Sequence, residues 1–155
     1  MESVDGEDGE VRPQRFNVLL VEDNAADARL FEMALREVAP RVSLFWVATG
    51  AEAIEALRRG DRFKDILGID IVIVDLNMPG TNGFETLDTI KKDPVRMVTP
   101  VLVMSSSADP DDIRRSYAMG ANTYFMKPIT LEGVHHLAFT IARYWLELAA
   151  LSAGD

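Results

Sequence analysis

The chain has no cysteine, which excludes disulfides, thiolate zinc sites and cysteine nucleophiles and fits a reducing cytosol. Basic residues are in short supply: 16 Lys and Arg stand against 25 Asp and Glu, a formal net charge of −9. That balance opposes attachment to a polyphosphate backbone, so nucleic acid is not an expected partner. Every apolar run is interrupted well short of the roughly 18 residues that read as a membrane span. The opening MESVDGEDGE has neither the basic nor the apolar region of a secretion signal, so a cytoplasmic protein without a membrane anchor is expected. Histidine is almost missing, with two in all, adjacent at His135 and His136. Neighbouring helical residues point about 100° apart, which denies the pair a shared metal ion on one face.

Hydrophobic residues at 48% and charged residues at 26% support a real core. A length of 155 residues leaves room for one ordinary domain and none for a separate output domain. Residues 1–14 are acidic and poor in apolar side chains and predict a disordered tail. A folded domain is expected over 15–150, with a flexible terminus over 151–155.

Within that domain, strand and helix patterns alternate. Phe16 to Val21 is an apolar run that stops at Glu22-Asp23-Asn24, and helical spacing then carries Ala26, Leu30, Met33, Ala34 and Val38 to Pro40. A strand over Val42 to Val47, a helix from about Ala51 to Arg59, a loop from Gly60 to Gly68 and a strand over Ile69 to Val74 follow. A helix from about Gly83 to Lys92, a strand over Val101 to Met104 and a helix opened by Asp109-Pro110-Asp111-Asp112 and stopped at Gly120 come next. The last strand spans Asn122 to Met126, and the last helix begins near Thr130. Five strands alternating with five helices predict an α/β fold, a flavodoxin-like (βα)5 doubly wound parallel sheet in the order 2-1-3-4-5. Trp46 and Trp145 read as packing residues.

Glu22-Asp23, Asp75, Ser105 and Lys127 all fall just past the carboxyl ends of predicted strands, the edge at which open α/β sheets bind ligands. Carboxylates converging there repel one another unless a cation sits among them. With only oxygen donors on offer, Mg2+ suits the set better than Zn2+. A carboxylate, a metal, a hydroxyl and an ammonium around one point make a site for phosphoryl chemistry. Asp75, alone at the end of the central strand, is the best nucleophile.

VEDN at 21 to 24, DLNMPGTNG at 75 to 83, PVLVMSSS at 100 to 107 and GANTYFMKP at 120 to 128 together resemble the receiver domain of two-component response regulators, from about Phe16 to Leu148. Thirty residues from Asp75 to Ser105 and 22 from Ser105 to Lys127 are the intervals expected of receivers. The resemblance implies that Asp75 accepts a phosphoryl group from a sensor histidine kinase. It also implies that Glu22, Asp23, Asp75 and the Asn77 backbone carbonyl hold Mg2+, and that Ser105 and Lys127 bind phosphoryl oxygens. Tyr124 would act with Ser105 as the switch, and Pro128 would follow a cis peptide that aims Lys127. Glu22 lengthens one arm of the usual acidic pair, and Ser105 replaces the commoner Thr.

VEDNAADARL, the loop from Gly60 to Gly68, DDIRRSYAMGANTYFMKP and YWLEL at 144 to 148 are similar to stand-alone receivers that partner phytochrome-type histidine kinases. Such a protein signals through a binding surface on its fourth helix, last strand and last helix, or relays the phosphate to a phosphotransfer protein. The alternative is a receiver-shaped interaction module that works without phosphorylation. An aspartyl-phosphate phosphatase of haloacid-dehalogenase type fits poorly, since its nucleophile follows the first strand and carries a second Asp two residues on. The last helix bears one stripe of Val134, Leu137, Ile141, Trp145 and Leu148 and a second of Phe139, Ala142 and Leu146. The second stripe suggests a homodimer interface, or else packing against the first helix or the chain's own C-terminal segment.

Overall fold

Val18 to Val21 and Ile71 to Val74 are fully buried side chain after side chain, as strands inside a sheet covered on both faces must be. The structure is a computed structural model that describes residues 15–60, 68–78 and 81–151. The acidic tail and the flexible terminus expected at the two ends, Leu151 apart, lie outside the described residues, as do residues 61–67 of the expected loop.

Five parallel strands, β1 (Phe16–Val21), β2 (Val42–Val47), β3 (Ile71–Val74), β4 (Val101–Ser105) and β5 (Thr123–Met126), form one sheet in the order β2-β1-β3-β4-β5. The helices are α1 (Ala25–Val38), α2 (Gly50–Leu57), α3 (Gly83–Lys92), α4 (Pro110–Ala118) and α5 (Leu131–Ile141). Alternate strand residues feed two cores. Leu19, Val21, Val72, Val74, Val101 and Val103 pack with α2 and α3, while Val18, Leu20, Ile71, Ile73, Leu102 and Met104 pack with α1 and α5. This is the doubly wound sheet expected from the alternation, and the chain reverses its direction of travel between β1 and β3.

Helix starts are set by side-chain caps. Asn24, Thr49, Asn82, Asp109 and Thr130 each accept a backbone N–H from the first turn of the helix that follows. Near β3 the short pieces Asn77–Met78 and Thr81–Asn82 pair antiparallel. A Cβ on Gly83 would stand 2.6 Å from the Asp75 carbonyl oxygen, so this pass of α3 over the strand end requires glycine.

Two expectations about the C-terminal third need correction. No peptide among the described residues is cis, so Pro128 follows a trans bond, the form favoured by about 0.5–1 kcal/mol before proline; Lys127 reaches its partners from the end of β5 without it. The second concerns the apolar stripe of the last helix. Beyond Ile141 the chain continues as a π-helical segment, Ala142–Leu148, closed by the Ala149 N–H donating to the Tyr144 carbonyl at 2.8 Å. Ala142 stands one ordinary α turn past the fully buried Ala138, and the wider turn beyond it brings Leu146 to the same side, so both are buried in the α1–α5 core with Phe16 and Val38 packed against it. Of the proposed interface only Phe139 is open, at 55% exposure.

Candidate functional site

Strand register assembles the site. Val21 pairs with Val74 and Val74 with Val103, so Glu22 and Asp75 leave their strands side by side. Ser105 pairs with Met126, and the Lys127 N–H donates to the Ser105 carbonyl at 2.8 Å. All the residues expected at this edge thus meet at the carboxyl end of the sheet.

Glu22 and Asp75 are 1% and 3% exposed, while Asp23 lies open to solvent. Asn24 is spent on capping, accepting the Asp27 N–H at 3.0 Å, which leaves Asp23 free of that duty. One carboxylate oxygen from each of Glu22, Asp23 and Asp75 can be chosen so that all lie within 4.8 Å of one another. The Lys127 ammonium is 2.8 Å from Glu22 Oε1, 3.0 Å from Asp27 Oδ2 and 3.0 Å from Asp75 Oδ2. One cation therefore serves three carboxylates, and a fourth stands beside them.

The shortfall of positive charge is visible at individual atoms. Glu22 Oε1 is buried and receives no well-aligned hydrogen bond, although Lys127 Nζ is close by. Burial pushes the Glu22 carboxyl up to about 7; Lys127 and the Asn24 N–H pull it down and the Asp75 charge pushes it further up. Burial alone would lower Lys127, but its contacts with Glu22, Asp75 and Asp27 outweigh that and hold it above the ordinary lysine value. Buried carboxylates that must share one ammonium, within a set of only oxygen donors, fit a hard divalent cation.

The remaining groups face the same point. Asp75 Oδ1 accepts the Asn77 N–H at 2.9 Å. Ser105 Oγ accepts from Asn77 Nδ2 at 3.0 Å and from the Ser107 N–H at 3.1 Å, which leaves its own proton to donate outward. Tyr124 is partly buried, and its hydroxyl donates to the Ser107 carbonyl at 2.7 Å, bridging β5 to the loop that follows β4. Sequence reasoning missed Asp27, which stands in the first turn of α1, and missed the role of the Asn77 side chain. The periodic signal was present for neither, because each acts through a neighbour distant in sequence.

Comparison with known proteins agrees with this arrangement. The family model for the response regulator receiver domain matches residues 18–138. The probable methanogenesis regulatory protein FilR2 of Methanothrix harundinacea is 34% identical over 84% of this chain and 84% of its own. Response regulator Rcp1 of Synechocystis sp. is 31% identical over 88% of this chain and 92% of its own; it has also been solved in a Mn2+-bound form, which superposes with a TM-score of 0.81 at 30% identity, covering 89% of this chain and 99% of that one. The phosphorylated cyanobacterial phytochrome response regulator RcpA superposes with a TM-score of 0.83 at 35% identity, covering 89% of this chain and 99% of that one. With a doubly wound sheet of receiver order and an acidic cluster at its carboxyl edge, this chain belongs to the response regulator receiver domain family of two-component signalling.

Proposed function

We propose that Asp75 accepts a phosphoryl group from a phosphohistidine of a sensor histidine kinase. The observation that carries this reading is a nearly buried carboxylate with one oxygen on the Lys127 ammonium and the other on the N–H of Asn77, whose side-chain amide reaches the Ser105 hydroxyl. An Asp75 oxygen attacks phosphorus, the P–N bond to the imidazole breaks, and the imidazole nitrogen keeps the electron pair and takes up a proton. Lys127 neutralises one phosphoryl oxygen, and Ser105 donates its free proton to another. Glu22, Asp23 and Asp75, with the Asn77 backbone carbonyl, would hold Mg2+. Bound there, it supplies charge that offsets the phosphoryl oxygens as the bond to Asp75 forms.

The phosphoryl signal then passes through Ser105 to the loop after β4, which Tyr124 already ties to β5. The output is a changed binding surface on α4, β5 and α5, read by a downstream protein or a phosphotransfer protein, and the chain performs no catalysis beyond its own phosphotransfer and dephosphorylation. A phytochrome-type kinase is the proposed partner because RcpA is a cyanobacterial phytochrome response regulator. A homodimer through the same face is part of the proposal, centred on the exposed Phe139 rather than on Ala142 or Leu146. No helix among the described residues is long and apolar enough to cross a membrane, and a cytoplasmic location is proposed. A small phosphodonor with Mg2+ should label the wild-type chain, and EDTA or Asp75→Asn should abolish the label. Label persisting on Asp75→Asn would refute the assignment, and a wild-type chain that bound its partner without any label would favour the unphosphorylated module.

A further inference from the structure

Trp46 reads from sequence as a packing residue, yet 43% of it is exposed on the edge strand of the sheet. Its indole Nε1–H donates to the Glu22 carbonyl at 2.6 Å. That bond crosses from β2 to the end of β1, just past the ladder bond in which the Glu22 N–H donates to the Val47 carbonyl at 3.0 Å. The next residue is Asp23, whose side chain makes no hydrogen bond or ion pair with the described residues. Asp23 is therefore held through its backbone alone. On one side the preceding carbonyl is fixed by the indole, and on the other the Asn24 N–H donates to Glu22 Oε2 at 3.1 Å.

We infer that Trp46 is a positioning residue of the cation site: its indole N–H fixes the Glu22–Asp23 peptide and so keeps the exposed Asp23 carboxylate within reach of Glu22 and Asp75. An exposed acid on a strand end otherwise samples several orientations, and only those that complete the oxygen set bind a divalent ion. Ordering it beforehand removes that entropy from the binding step. Packing alone does not require an N–H at this place, and no other aromatic side chain could supply one on a ring of this length. The inference rests on the reading of Glu22, Asp23 and Asp75 as Mg2+ ligands.

The test is calorimetric titration of Mg2+ into the full chain, comparing wild type with Trp46→Phe, which keeps the ring and removes the donor. The hydrogen bond is already made in the ion-free chain, so its loss should lower the urea midpoint in EDTA modestly, and having to order Asp23 at the binding step should in addition weaken Mg2+ binding about threefold to tenfold. A merely structural role lowers the midpoint and leaves the affinity for Mg2+ unchanged, and that result would overturn the inference. A second measurement needs no change at Trp46. The chain has two tryptophans, so in Trp145→Phe the emission reports Trp46 alone and should shift with Mg2+ at the midpoint found by calorimetry. A flat emission would overturn the inference while leaving the metal reading standing. Absence of Mg2+ binding by wild type would overturn both.

Discussion

At Asp70 a carboxylate stands just before β3 and accepts the Asn17 backbone N–H at 2.8 Å. Burial raises its pKa above the ordinary 3.8, and the hydrogen bond from Asn17 only partly offsets that. A carboxyl raised on folding contributes stability that is full below the unfolded pKa and is lost as pH rises through the folded one. Asp70→Asn keeps an acceptor for Asn17 and cannot ionise. Urea midpoints of the two proteins should therefore diverge in favour of the variant as pH rises above 3.8, then run parallel above the raised pKa. A gap that stays constant across this range would show that the ionisation carries no cost. The same logic of local environment explains why Asp23, Asp27 and Asp75, alike in sequence, differ in the structure. Each is placed by a different element, one open to solvent, one on a helix turn and one nearly buried.

At the scale of elements, legibility followed the strength of the local pattern. The apolar runs of β1 and β3 and the caps at Asn24 and Asp109 mark their elements directly, and the positions past the strand ends located Glu22, Asp75, Ser105 and Lys127 together. The strand at Ile69 starts two residues later than expected, at Ile71, because Asp70 is engaged with Asn17. The C-terminal helix misled for a physical reason. The buried face is wider than the first stripe, since Ala138 and Ala142 line it one α turn apart, and the π-helical turns beyond Ala142 bring Leu146 in after them. The consequence is testable with two charges. Leu146→Glu places a carboxylate in the α1–α5 core, where Leu146 is 5% exposed, and should destabilise the chain by about 3–5 kcal/mol. Phe139→Glu should leave the urea midpoint nearly unchanged and shift the mass in light scattering from dimer to monomer. A stable Leu146→Glu chain would contradict the packing described here, and a Phe139→Glu chain that stays dimeric would move the interface elsewhere.

For the whole molecule, a net charge of −9 means that folding works against self-repulsion, most sharply where the sheet gathers Glu22, Asp23 and Asp75. Unfolding disperses these three and with them any divalent-ion site, so a cation that binds the folded chain alone stabilises it in proportion to the logarithm of its concentration. At a hundred times the dissociation constant the gain is about 2.7 kcal/mol. General screening by salt behaves differently, since it acts on every exposed charge and saturates with ionic strength. The melting temperature should thus climb with Mg2+ at constant ionic strength, and the climb should vanish in Asp75→Asn and in Asp23→Asn. In EDTA the order changes. Asp23 has no ion-pair partner among the described residues, so Asp23→Asn removes repulsion without orphaning a cation and should melt no lower than wild type. Asp75→Asn instead takes a carboxylate from Lys127 while relieving the same repulsion, so only its insensitivity to Mg2+ is diagnostic. If Mg2+ raised the melting temperature of all three proteins equally, the ion would be acting on surface charge, and the acidic edge of the sheet would not be its site.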